Sequence, residues 1–173
     1  MVDDWKVLNT METIDLTKTH YQRILFCTDF SENADFAFPF AVDAAARRPG
    51  SELYLLHVIP ESDAQFWKTY IYEVEDVDNK AKHDIDERVD QIYRAHLPEG
   101  LELKVEMRIG KDSQQILQFA REHRIDLIVM GRHGHSHGRL QKTLFGNVTE
   151  KIASKADCAV LIVPLSYRDR PKD

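Results

Sequence analysis

From about position 21 the chain alternates between short unbroken apolar runs and longer stretches whose apolar residues recur every three or four positions. The first pattern suits strands buried on both faces and the second suits helices with one core-facing side. Ile24, Leu25, Phe26 and Cys27 make the first strand. Ser31 opens a helix with apolar positions at Ala34, Ala37, Phe38, Ala41, Ala44 and Ala45, and Pro39 is expected to kink it or to sit in its early turns. Arg47, Arg48, Pro49 and Gly50 end that helix, and Leu53 to Ile59 reads as the second strand. Pro60 to about Val74 is a long irregular passage carrying Phe66, Trp67, Tyr70 and Tyr72, aromatics that either cover a core or form a partner surface.

A charged helix is expected from about Glu75 to Ala95, with Ile85, Val89 and Ile92 on one face. A turn at Leu97 to Gly100 leads to a third strand over Leu101 to Ile109, and Asp112 or Ser113 caps a helix bearing Ile116, Leu117 and Ala120. Ile125 to Met130 forms the fourth strand. A helix over about Phe145 to Ala156 precedes the fifth, Cys158 to Val163. Apolar strands separated by helices imply an α/β fold: a single, doubly wound, five-stranded parallel sheet with helices on both faces. Residues 1–20, polar and without a sustained period, read as an N-terminal arm, 21–165 as one α/β domain and 166–173 as a C-terminal tail.

Composition narrows the function. A net charge of -6 argues against a nucleic-acid partner, which would need a basic face. No apolar stretch reaches the roughly 18 residues of a membrane span, and Asp3, Asp4, Trp5 and Lys6 do not resemble a secretion signal, so a cytoplasmic protein without membrane contact is expected. Cys27 and Cys158 each lie in an apolar run and read as buried structural thiols.

The candidate chemistry collects at strand ends. Gly131, Gly134, Gly138 and Gly146 follow the fourth strand, and the helix opening near Gly146 would present amide donors and a positive dipole end to an anion. In an open α/β sheet that is where nucleotides bind. Thr28 and Asp29 follow the first strand, and if the first and fourth strands are neighbours they face the glycine loop. Asp29 can accept hydrogen bonds from a nucleoside or simply stabilise the turn before the helix. His57 and Val58 end the second strand, where a backbone amide and an apolar side chain could lie beside a flat base. His133, His135 and His137 alternate as metal ligands do, but without a fixed loop period or a neighbouring carboxylate the expectation is no metal site.

Four segments together, Arg23-Ile-Leu-Phe-Cys-Thr-Asp-Phe-Ser-Glu-Asn-Ala, Leu55-Leu-His-Val-Ile-Pro-Glu, Met130-Gly-Arg-His-Gly and Gly146-Asn-Val-Thr-Glu-Lys-Ile, resemble the universal stress protein family. The resemblance runs from about Tyr21 to Leu165. It implies a Rossmann-like sheet of order 3-2-1-4-5, a homodimer through the last strand (Ala159 to Pro164) and, for members with Gly-x-x-Gly, nine residues, then Gly-Ser/Thr, ATP binding. Carried over residue by residue, it places Asp29, with Thr28 beside it, at adenine or ribose, and Val58 at adenine through its backbone. Met130, Gly131, His133 and Gly134 would line ribose and the inner phosphates, with Arg132 adding charge, while Gly146, Asn147 and Val148 would offer amides to the outer phosphates.

This chain departs from that pattern in three places. Cys27 stands where many binding members have Pro, eleven residues rather than nine separate Gly134 from Gly146, and Asn147 replaces Ser or Thr. Gly138 is expected to take part of the extra loop's work. The function the resemblance implies is a stress-response regulatory module that binds ATP or AMP, with or without Mg. A dimeric scaffold that binds no nucleotide and a slow ATPase are the alternatives. No phosphate-transfer or pyrophosphatase motif is present, and Glu150, the acid nearest the loop, reads as a solvated helix residue, so no catalytic residue is assigned.

Overall fold

Strand β1 (Arg23–Cys27) leads through Ser31 into α1 (Glu32–Ala46), and β2 (Glu52–Ile59) leads into a short α2 (Glu61–Phe66). Helix α3 (Val77–Ile92), a 3-10 turn at Arg94–His96 and β3 (Leu103–Ile109) follow. Next come α4 (Asp112–Glu122), β4 (Leu127–Gly131), α5 (Asn147–Lys155), β5 (Ala159–Val163) and a closing 3-10 turn at Leu165–Asp169. The structure is a computed structural model that describes residues 20–66, 77–134 and 146–171. The aromatic residues Trp67, Tyr70 and Tyr72, and His135, His137 and Gly138, lie outside the described residues.

All five strands are parallel, in the order β3-β2-β1-β4-β5. The chain therefore winds outward from β1 in one direction and then restarts beside it in the other. Cys27 pairs with Leu56 on one side and Met130 on the other, so the β1 turn opens between β2 and β4. This is the reversal point at which doubly wound sheets hold ligands.

The strand period of two divides the core into two layers. Ile24, Phe26, Leu53, Leu55, Leu127 and Val129 point to α1 and α3, where Ala37, Phe38, Ala41, Val89 and Tyr93 cover them. Leu25, Leu56, Ile128 and Met130 point to α4 and α5, where Ile116, Phe119 and Ile152 cover them. Each fully buried Leu, Ile or Phe contributes roughly 1.5–3 kcal/mol. The row of alanines in α1 lets that helix lie close to the sheet.

Several local expectations change. Residues 61–66 form a helix where an irregular passage was expected: the amides of Asp63 and Ala64 donate to the Pro60 carbonyl, and Glu61 and Asp63 complement the dipole of the first turn. The charged helix ends at Ile92, earlier than expected, because the chain tightens into the 3-10 turn after Tyr93. Pro39 lies in the middle of α1, exposed to solvent, where water can take the Asp35 carbonyl that a proline cannot serve. The residue preceding α4 is Lys111, with no side-chain cap, so neither Asp112 nor Ser113 is the cap. Cys27 is buried as expected, whereas Cys158 is only half-buried; both are free thiols.

Candidate functional site

At the carboxyl ends of β1, β2 and β4 lies a cavity of about 480 Å³. Thr28, Asp29, Val58, Met130, Gly131, His133, Gly134, Gly146, Asn147 and Val148 all line it, so the topology brings together nearly every residue singled out from sequence. Arg132 does not line it. Its Nε is buried with no hydrogen-bond partner among the described residues, and its backbone ties the loop to β5 by donating to the Val163 carbonyl at 3.0 Å.

Asp29 serves both readings proposed for it. One carboxylate oxygen accepts from the Ser31 amide at 3.1 Å, closing the turn into α1. The other lies against Gly134 so closely that an added Cβ there would collide with it. Any side chain at 134 would therefore have to displace the Asp29 carboxylate, and the two halves of the crevice touch through this pair. Gly131 is similarly constrained, since its added Cβ would come within 2.9 Å of the Asn33 backbone.

The turn carrying Asp29 is held from behind. Phe30 adopts φ 57°, a left-handed conformation that costs a bulky residue on the order of 1–3 kcal/mol unless its surroundings impose it. Here they do. The Phe30 amide donates to Thr28 Oγ1 at 2.9 Å, its ring meets those of His57 and Tyr93 at 4.8 and 6.0 Å, and the Arg88 guanidinium covers it at 4.5 Å. Tyr93 donates its hydroxyl to Asp35 Oδ1 at 2.5 Å, which leaves its oxygen to accept from Thr28 Oγ1 at 2.6 Å. Burial, and then the Asp35 carboxylate, push the Tyr93 hydroxyl far above the usual phenol range, so it remains a donor. The Thr28 hydroxyl is thus turned inward; Thr28 lines the cavity but its polar atom braces the turn.

The loop's other end is fixed to the sheet. Asn33 spans α1, β5 and the glycine loop, donating through Nδ2 to the Val163 carbonyl at 3.0 Å and accepting the His133 amide on Oδ1 at 3.0 Å. Thr149 donates to the Gly131 carbonyl at 3.2 Å. Gly146 donates its amide to the Arg132 carbonyl at 3.0 Å, so the amide expected to face a phosphate is already committed to closing the loop. Asn147, Val148 and Thr149 occupy the first turn of α5, where the amides have no intrahelical acceptor and the helix dipole is positive.

The opposite end of the cavity is acidic. Asp63 from α2 and Asp112 from the start of α4 line it together with Asp29. Burial raises the Asp112 carboxyl above its usual range, and the negative charge of Asp29 and then Asp63 adds to the effect while His57 opposes it. His57 donates from Nδ1 to the Thr28 carbonyl at 2.9 Å. Burial lowers its pKa more than that hydrogen bond raises it, which keeps the ring neutral at pH 7. Burial holds the Cys27 thiol, also on the cavity wall, far above its ordinary value, so it is no nucleophile here.

Sequence reasoning missed Asn33, Asp63, Tyr93 and Asp112. Asp112 was detectable: it follows β3 at the same sheet edge as Asp29 follows β1, but its position before an apolar-periodic stretch made it read as a cap. Asn33 and Tyr93 act through partners 130 and 65 residues away, and no local pattern marks them.

The sequence pattern of the "Universal stress protein family" matches residues 20–164. A universal stress protein of Methanocaldococcus jannaschii is 30% identical over 158 residues, covering 83% of this chain and 94% of that protein. A solved universal stress protein from Lactobacillus plantarum superposes with a TM-score of 0.64 at 27% identity, over 83% of this chain and 98% of that one. One from Archaeoglobus fulgidus, solved in complex with dAMP, shares the fold with a TM-score of 0.55 at 24% identity, over 83% of this chain and 98% of the other. With the family pattern spanning the whole α/β unit and the sheet order and crevice in agreement, the chain belongs to the universal stress protein family.

Proposed function

We propose that this protein is an adenine-nucleotide-binding regulatory module of the stress response, with ATP or AMP held in the crevice between β1, β2 and β4. One observation carries the reading: a single cavity has Asp29 seated on Gly134 at its centre and the first turn of α5 at one end. A ligand with an anionic end and a hydrogen-bond-donating end fits that polarity. A solved relative of the same fold whose complex contains dAMP supports the reading.

In this reading Val58 and Met130 flank the base and ribose, Asp29 accepts from a ribose hydroxyl or the base, and the backbone of Gly131, His133 and Gly134 passes along the inner phosphates. The amides of Asn147, Val148 and Thr149 meet the outermost phosphate. Any Mg arrives with the phosphates, because Asp63 and Asp112 belong to the β2 and β3 side of the cavity and not to the α5 side. Glu150 is exposed on α5 and does not line the cavity, and the reading proposed is of a site that binds its ligand.

The proposal also includes a homodimer and a cytoplasmic location. β5 pairs only with β4 among the described residues, and its apolar sequence leaves Ala159 and Leu161 exposed. They border a groove of about 650 Å³ with Tyr21, Phe40 and Ala44. An apolar edge strand of this kind suits a second copy of the chain. No helix among the described residues is long and apolar enough to cross a membrane.

Thermal unfolding with ATP, ADP and AMP tests the site. A ligand at a hundredfold above its Kd stabilises by roughly 2.7 kcal/mol, a readily measured rise in Tm. Gly134→Ala should abolish the rise while folding normally, since its methyl displaces Asp29 rather than the core. If no nucleotide shifts the wild type, the protein is a scaffold instead; phosphate release sensitive to Glu150→Gln would make it an ATPase.

A further inference from the structure

A second concave surface lies where the chain enters β1, at the end of the sheet opposite the nucleotide crevice. It is the groove of about 650 Å³ beside β5, and two of the four exposed large apolar side chains among the described residues, Tyr21 and Leu161, line it. Its lower half is built at the amino ends of the strands. Leu127 and Ala159, the first residues of β4 and β5, are paired in register there, and Ala44, near the end of α1, completes the wall with Arg47 and Arg48 just beyond. Leu161, further along β5, and Phe40, a turn earlier in α1, form the upper half.

His20 and Tyr21 are themselves part of this groove's wall, and the start of β1 is pinned beside it. The amides of Gln22 and Arg23 both donate to the Asp126 carboxylate, at 2.9 and 2.8 Å, which holds the chain against the start of β4. Residues 1–19 therefore join the fold at the mouth of the groove. Leu16 and Ile14 lie four and six residues before His20, at most about 13 and 20 Å away at roughly 3.3 Å per residue. They flank Asp15, an alternation that sets both apolar side chains on one side of an extended chain and the acid on the other. Charge matches as well. Residues 1–19 carry Asp3, Asp4, Glu12 and Asp15 against Lys6 and Lys18, while at the groove's rim Arg47 bonds Asp43 at 2.8 Å and the exposed Arg48 makes no ion pair among the described residues.

We propose that residues 11–19 of the same chain occupy the lower half of this groove, with Ile14 and Leu16 against Ala44, Leu127 and Ala159 and with the segment's acids beside Arg48. The tether favours this occupant over others. A segment joined within a few residues is held at an effective concentration on the order of millimolar, which neither a free peptide nor a second copy at micromolar concentration matches. Leu16 and Ile14 lose apolar surface to Ala44 and Ala159, which water otherwise covers. The arm leaves Leu161 and the outer backbone of β5 to a second copy, so docking in the groove and pairing along the edge are separate events.

Trypsin cleavage of the Lys18–Thr19 bond, followed by mass spectrometry of the full chain, reads the docking, because the protease cuts the segment only while it is released. The measurement is made at a dilution at which sedimentation gives single chains. The double variant Ile14→Ser, Leu16→Ser is expected to be cut about tenfold faster than wild type. Ala44→Glu, which obstructs the groove from the other side, should accelerate cleavage to a similar degree, and combining it with the arm variant should add nothing further. Equal rates for wild type and the arm variant overturn the proposal, and that comparison stands even if Ala44→Glu fails to fold. Protection that appears only as the concentration rises into the dimer range places the arm in a second copy's groove and also overturns it. A chain that never dimerises yet protects Lys18 upholds the docking while removing the dimer, so the two readings fail separately.

Discussion

His57 shows how much a single side chain's placement decides. From its strand position it read as a packed residue, and it is one, but its imidazole also bonds the Thr28 carbonyl and rests on Phe30, so it supports the turn that carries Asp29. Because burial lowers its pKa below the ordinary 6.5, the unfolded chain takes up a proton more readily than the folded one. Stability from this residue is complete above about pH 6.5 and declines as pH falls toward the lowered folded value. Asp112, raised above the ordinary 3.8, acts in the opposite sense and at lower pH: stability drops as pH rises from 3.8 through its folded value. Urea unfolding should therefore show a lower free energy at about pH 5.5 than at about pH 7.5. His57→Gln, whose amide can still donate to Thr28, should show a flatter dependence; an unchanged slope would remove His57 as its source. Asp29, Val58 and Gly134 were legible as site residues because each adjoins the end of an apolar run. Their mutual contact was not, since Asp29 and Gly134 meet only through the pairing of β1 with β4.

At the scale of elements, the helices and strands that periodicity marks clearly are the ones the structure contains, within a few residues. The failure at 61–66 has a simple cause: six residues make fewer than two turns, too few for a 3.6-residue period to register. How elements join was also hidden. α1 is tied to β5 and to the glycine loop by the Asn33 amide, a polar link in an otherwise apolar layer. Asn33→Ala removes a donor and an acceptor at once and should cost about 1–3 kcal/mol, and Asn33→Asp should cost at least as much, because its carboxylate sets an oxygen against the Val163 carbonyl at a buried position. Chemical unfolding reads the difference. A loss below about 0.5 kcal/mol would mean that water replaces the side chain at both positions.

The whole molecule presents a sheet with one end equipped for a ligand and one edge left apolar. Leu161, 38% exposed on that edge, and Tyr21, 38% exposed beside the same groove, are the surface that a dimer through β5 would cover. Sedimentation equilibrium of wild type should give twice the chain mass, and Leu161→Lys should shift the distribution toward single chains without lowering Tm at high dilution. Wild type sedimenting as one chain at micromolar concentration would remove the dimer. The Tm comparison matters because a dimer that stabilises its subunits makes Tm rise with concentration.

The alternation of apolar runs with helical periods, the parallel α/β class and the strand-end position of the glycine loop were determined by sequence alone, because each depends on residues within about 20 positions of one another. Tertiary structure decided that Asp29 lies on Gly134, that the Gly146 amide closes the loop rather than facing a ligand, and that Asp63 and Asp112 make the far end of the cavity acidic. These depend on strand order. Pairing β1 with β4 and β2 with β3 brings together segments tens of residues apart, and side-chain period records which face of an element is buried but not which element buries it.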